Sequence, residues 1–156
     1  GEKTWNLLDQ VAGRAGREST DGRVLIQTYK PDNLILKHLV NHNRARFVEA
    51  ELQNRQHGVW PPYGRLAAII ISGQYELPTK KFAEQLVRSA PKSSQLQILG
   101  PAMAAMYQIR NQYRYRVLFK APRQFPLSQY LKQLTCSLKL PKQIKMAIDI
   151  DPYSFT

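Results

Sequence analysis

From Gly64 onward the chain alternates between two hydrophobic rhythms. "RLAAIIIS" (65–72) is a near-continuous apolar run of strand length, the pattern of a strand buried on both faces. In "TKKFAEQLVRSA" (79–90) Phe82, Ala83, Leu86, Val87 and Ala90 return at helical spacing, while Lys80, Lys81, Glu84 and Arg88 take the outer side. "QLQILG" (95–100) reads as a second strand, broken at Gly100-Pro101. "MAAMYQIRNQYRYRVLFK" (103–120) reads as a hairpin turning near Asn111-Gln112, and Leu127, Tyr130, Leu131, Leu134 and Leu138 form one helical stripe. Last, Ile144, Met146, Ile148 and Ile150 alternate with Lys145, Ala147, Asp149 and Asp151, the period of a half-buried strand. The order β-α-β-β-α-β predicts a ferredoxin-like α+β domain, in which two helices cover one face of an antiparallel sheet.

The preceding part reads as helix, strand, helix, helix. Thr4 is placed to cap a helix with Trp5, Leu8 and Val11 on its apolar side, ended or loosened by Gly13 and Gly16. Asp21-Gly22 signals a turn into a short strand from Arg23 to Thr28. Pro31 and Asp32 open a helix in "DNLILKHLVN", and "NRARFVEAELQNRQ" (43–56) is a further amphipathic helix with Phe47, Val48 and Leu52 on one side, ending at Gly58. Pro61 removes an amide and restricts the residue before it. The domain boundary is therefore set there, giving segments 1–60 and 61–156.

Charge sharpens that division. The net charge is +12, but residues 1–60 carry 9 Lys/Arg and 7 Asp/Glu (9 − 7 = +2), whereas residues 61–156 carry 14 and 4 (14 − 4 = +10). A field of that sign attracts nucleic acid, an acidic protein tail or an anionic surface; a basic, solvated surface with no dedicated partner is the plain alternative. No stretch approaches the roughly 18 apolar residues of a membrane span, so the chain reads as soluble; the expected location is cytoplasmic. Its Gly-Glu-Lys start points to processing or a chosen boundary, not to a secretion signal. One cysteine, Cys136, excludes an intramolecular disulfide. His38 and His42 share the i, i+4 spacing of some zinc sites but lack a third ligand, and no metal is expected.

"QVAGRAGR" (10–17) sets Arg14 and Arg17 each directly after a glycine. Arginine presents a planar fork that suits phosphate oxygens, and glycine lets the backbone approach a ligand closely. Gln10 adds a polar group one turn earlier. A basic turn after a helix is the bland alternative. No GK[ST] follows the glycines, and no GxxxxGK[ST] or acidic DExx-type segment occurs elsewhere, so nothing here can hold a nucleotide's phosphates or its magnesium.

QxxGRxGR resembles the last conserved motif of superfamily-two helicases. Together with "GRVLIQT", "FVEAELQNRQ", "WPPY", "LGP", "YRYRVL" and "IDIDP", in order along nearly the whole chain, it is similar to the C-terminal part of the primosomal replication-restart helicases. That resemblance implies the end of a RecA-like motor lobe followed by a DNA-binding domain. It makes Gln10, Arg14 and Arg17 the motif positions, with Arg17 as the arginine finger toward ATP. It also implies that ATP and magnesium bind upstream, that a zinc module lies upstream, and that this piece alone holds no cofactor and is inactive. A strand around Val24–Gln27 without its neighbours predicts an exposed edge, hence dimerisation or disorder in residues 1–30.

In "YRYRVLFK" (113–120) the period-2 rule sends Tyr113, Tyr115, Val117 and Phe119 to one face and Arg114, Arg116, Leu118 and Lys120 to the other. With the aromatics under the helices, Arg114, Arg116 and Lys120 reach the open face, joined by Lys145 if the register agrees; solvated arginines without a ligand are the competing reading. An RNA-recognition motif shares the element order and stacks bases on central-strand aromatics, but its glycine signature is missing. A free-standing nucleic-acid-binding module of ferredoxin-like fold, without motor activity, is the alternative function. The resemblance further implies forked or single-stranded DNA and other primosome proteins as partners, and a single-stranded-DNA-binding protein whose acidic tail docks near Arg123 and Gln124. Asp149 and Asp151 could form a divalent-metal pair; strand termination before Pro152 and bonding to loop amides is the competing reading.

Overall fold

The computed structural model describes residues 1–15 and 23–152. They form two compact units, Gly1–Asn54 and Arg55–Thr156.

The first unit is helical: α1 (Glu2–Ala12), α2 (Leu34–Val40) and the start of α3 (Arg44–His57). Helix α1 begins at the second residue, because Gly1 serves as N-cap and its carbonyl accepts from the Trp5 N–H at 3.0 Å. Thr4 is thus inside the helix and not its cap. Trp5 stacks on Phe47 with ring centroids 4.5 Å apart, and these two with Leu39 make the buried cluster, flanked by Leu8 and Ile35. Val11, Val48 and Leu52, expected to be inward, are exposed; three short helices offer one small contact, which a single ring from each of α1 and α3 fills.

Helix α2 ends in a Schellman motif. Asn43 N–H bonds to the His38 carbonyl, His42 N–H to that of Leu39, and His42 takes a positive φ of 49°. His42 therefore lies beyond the helix end, so the expected His38/His42 face does not form. Asn43 then caps α3, its Oδ1 accepting from Arg46 N–H at 3.2 Å. Residues 23–28, read as a strand from their β-branched content, form none. Leu25 is 97% exposed. A strand needs a pairing partner, and no described segment supplies one. The turn at Asp21-Gly22 lies outside the described residues.

The second unit is an antiparallel sheet of β1 (Gly64–Gly73), β2 (Gln97–Ile109), β3 (Gln112–Pro122) and β4 (Ile144–Ile150), in the order β2-β3-β1-β4. Helices α4 (Glu76–Ser89) and α5 (Leu127–Cys136) follow β1 and β3. This is the ferredoxin-like order. Ala67, Ile69 and Ile71 of β1, with Tyr115, Val117 and Phe119 of β3, are packed with Phe82, Ala83 and Leu86 of α4 and Leu127, Tyr130, Leu131 and Leu134 of α5.

Strand β2 differs from expectation at Gly100-Pro101, which interrupts the register without ending the strand. Gly100 takes φ +105°, and a Cβ there would stand 2.8 Å from the Arg116 carbonyl. The ladder skips from Leu99 to Ala102, an irregularity that absorbs the proline, and again from Met103 to Gln108. In β4 only Ile144 is buried and Met146 partly so; Ile148 and Ile150 are exposed, because β4 is an edge strand and the core covers only its first half. The hairpin turn is made by Arg110 and Asn111, both at positive φ (49° and 60°), the backbone of a type I′ turn.

Candidate nucleic-acid interface

The helices cover one face of the sheet, and register decides what stands on the other. Directly opposed residues share a face. Ser72 faces Arg114 on one side and Lys145 on the other. Lys145, Ser72 and Arg114 therefore form a row across three strands, which puts the two cations about 10 Å apart at their backbones. Arg116, opposite Ile70, stands two residues along β3, about 7 Å from Arg114. Ser72 was not singled out from the sequence, since only the register reveals it between two cations. Arg110 was missed as well; it is exposed at the hairpin tip, at the same end of the sheet.

Lys120 belongs elsewhere. It opposes Leu66, roughly 20 Å along β3 from Arg114. Its Nζ donates to the Gly58 carbonyl at 2.9 Å and lies 4.7 Å from the centre of the Trp60 ring. Leu66 and Ala68 point away from the helices yet are buried. The open face thus has a closed end near Leu66 and an accessible end carrying Ser72, Arg114, Arg116 and Lys145. The Lys120 contacts also tie Gly58 and Trp60 to the sheet, in keeping with the compact unit that begins at Arg55.

The aromatics of β3 decide against base stacking on this sheet. Tyr115 and Phe119 are buried on the helix side, and the open positions of the central strands are Leu66, Ala68, Ile70 and Ser72 with Arg114, Arg116, Leu118 and Lys120. An RNA-recognition motif needs its aromatics on the uncovered face.

Asp151 closes the sheet at its other corner. Its Oδ2 accepts from Arg65 Nε and Nη2 at 3.1 and 2.8 Å, its Oδ1 from the Leu66 N–H at 3.1 Å. Burial pushes its carboxyl up, but the Arg65 bonds, the Leu66 N–H and the guanidinium charge outweigh that and hold it below the ordinary 3.8. Those bonds give Asp151 a strand-terminating role, and Asp149 sits on the open face opposite Ala68. Among the described residues, no three His, Cys, Asp or Glu side chains come together as a metal site.

Arg123 and Gln124 are exposed at the centre of a turn closed by the Phe125 N–H to Pro122 carbonyl bond of 3.0 Å, just before α5. Gln10 is exposed near the end of α1, and Arg14 is exposed in the turn that follows. Gly13 keeps right-handed helical geometry (φ −68°), so Arg14 follows Gln10 by about one helical turn. Arg17 lies outside the described residues.

The architecture defines a class: an α+β domain of ferredoxin-like order with one helix-covered face and one cation-bearing face, preceded by a small helical unit. A family model described as the primosomal protein N C-terminal domain matches residues 56–153, and the chain belongs to that family. It is 40% identical over 154 residues to replication restart protein PriA of Rickettsia conorii, covering 99% of this chain and 24% of that protein. The PriA proteins of Synechocystis and Bacillus subtilis are 35% and 32% identical, over 98% and 97% of this chain and 18% and 20% of their own lengths. The chain thus spans about a quarter or less of the curated relatives it matches. No described helix is long and apolar enough to cross a membrane.

Proposed function

We propose that this chain is part of a cytoplasmic bacterial replication-restart DNA helicase, with the second unit gripping DNA through its phosphate backbone. The observation that carries this reading is the Lys145–Ser72–Arg114 row with Arg116 beside it on the accessible end of the open face. Cations without stacking aromatics suit sequence-independent phosphate contact. Forked or single-stranded DNA is the substrate class, and the acidic tail of a single-stranded-DNA-binding protein is assigned to the turn at Arg123 and Gln124. Other primosome proteins complete the set of partners.

The second element of the reading is nucleotide chemistry in the intact protein. Gln10, Arg14 and Arg17 complete an ATP pocket whose phosphate- and magnesium-holding residues, like the zinc module, lie in other polypeptide. This chain by itself hydrolyses nothing. Arg17→Ala in the intact protein should lower DNA-stimulated ATP hydrolysis by on the order of a thousandfold while ATP binding persists; retained turnover refutes the finger.

For the sheet, forked DNA, single-stranded DNA and hairpin RNA are titrated at a series of salt concentrations. Forked DNA should bind best, and Arg114→Ala with Arg116→Ala should weaken binding and reduce the salt slope by about 2. Preference for RNA would favour a free-standing nucleic-acid module over the helicase reading. An unchanged slope in the double variant removes these arginines from the interface.

A further inference from the structure

Residues 61–156 contain four acidic side chains: Glu76, Glu84, Asp149 and Asp151. Asp151 is taken by Arg65, and Glu84 lies 3.8 Å from Arg88. Glu76 behaves differently. It has Lys80 one turn further along α4, the spacing at which ion pairs form on a helix, yet among the described residues no lysine or arginine pairs with it.

Its carboxylate turns instead to tyrosines. Tyr115 Oη donates to Glu76 Oε1 at 3.4 Å and lies 3.2 Å from Tyr107 Oη. Burial first, then the nearby Glu76 carboxylate and Tyr115 hydroxyl, push the Tyr107 hydroxyl well above its ordinary range. The Tyr107 ring meets those of Tyr113 and Tyr115 edge to face, with centroids 5.6 and 5.7 Å away. A carboxylate has about four acceptor positions, so the Tyr115 bond leaves capacity toward solvent, where Glu76 is exposed.

The margin of this cluster is apolar and open. Tyr75 and Leu77 flank Glu76 and are each 62% exposed; Met103, directly opposite Tyr115 on the helix side of the sheet, is 60% exposed. Met106, beside Tyr107 in the chain, is exposed too. Exposed apolar side chains gathered around a polar centre mark an interaction surface. Tyrosine, methionine and arginine are the residues enriched at protein interfaces. This surface supplies the first two and, with an anionic centre, is complementary to the third.

We propose that the surface formed by Glu76, Tyr107 and Tyr113, with Tyr75, Leu77 and Met103 at its margin, receives an arginine side chain of a partner protein. The guanidinium binds the free acceptor positions of Glu76 and lies against the tyrosine rings, combining a charge-assisted hydrogen bond with a cation–π contact. The flanking apolar side chains cover the arginine stem. The surface is separate from the cation row, which is on the opposite face of the sheet, and its occupant is the opposite charge from DNA.

The test is a titration of the isotopically labelled 156-residue chain with N-acetyl-arginine amide, following the side-chain resonances of Glu76, Tyr107 and Tyr113. N-acetyl-citrulline amide, which has the same shape and no charge, is the control. Saturable shifts confined to this cluster with arginine, weaker by roughly tenfold in Glu76→Gln, support the site. Equal shifts with citrulline, or an unchanged response in Glu76→Gln, overturn it. If Glu76→Gln does not fold, the arginine-against-citrulline comparison on the unaltered chain decides alone. Shifts of these resonances by an oligothymidylate but not by arginine would make the surface a nucleic-acid contact and also overturn it. Loss of DNA binding in the Arg114/Arg116 variant bears on the cation row and leaves this result untouched.

Discussion

The two units bury their side chains on different scales. Around Trp5, Leu39 and Phe47 three helices share one aromatic stack, whereas the sheet unit has strands β1 and β3 covered by two helices through a continuous core. Burial of apolar area is the main favourable term in folding. The sheet unit therefore carries its own stability, while the helical unit has little to set against its conformational entropy. The comparison separates a domain that can present a surface from a segment that presents a motif.

The largest test of that contrast is Phe119→Ala, which empties a fully buried position of the core. It should cost about 3–5 kcal/mol and remove the later of two transitions in chemical denaturation. A loss under about 1 kcal/mol would mean that the sheet core does not dominate stability.

A smaller effect is expected at Asp151. Its carboxyl sits below the ordinary value in the folded chain, so its contribution is fully present above about pH 4 and lost as pH falls through the depressed folded value. Asp151→Asn should lower the sheet unit's stability at neutral pH by about 1 kcal/mol, read from chemical denaturation. The difference should vanish in acid. A difference that persists there places the effect in packing, not charge.

The smallest effect concerns the helical unit. The Trp5 indole N–H is buried without an acceptor among the described residues, so Trp5→Phe keeps the stacked ring and removes an unsatisfied donor. The early transition should move by less than about 0.5 kcal/mol. A loss of several times that would show that the nitrogen is engaged.

Where side chains obey a period and burial follows it, the fold was legible in the chain. The run at 65–72, the helix around Phe82 and Leu86 and the alternation of Tyr115, Val117 and Phe119 all pack as their spacing implies. Local pattern failed where a distant partner decides. Residues 23–28 have strand composition but no described strand beside them, Ile148 and Ile150 have the right period on an edge the core does not reach, and Gly100-Pro101 is carried by a bulge whose existence depends on β3. The candidate site divides the same way. Arg114 and Arg116 sharing a face follows from period two alone; Ser72 and Lys145 joining them requires the β1–β3 and β1–β4 registers, and Lys120 stands apart six residues along β3, engaged with Gly58 and Trp60. The tyrosines meeting Glu76 left no mark in spacing, since α4, β2 and β3 bring them together from separate stretches.

The bond between Asp151 and the start of β1 places the entry and exit of the sheet at one corner, because β1 and β4 are antiparallel neighbours. A load applied between Gly64 and Pro152 would act across the ladder and break its rungs one at a time, starting with the Arg65 clasp. Peeling from a corner takes far less force than sliding two strands past each other. Such a domain would yield early under tension along the polypeptide, and the clasp would set the first threshold.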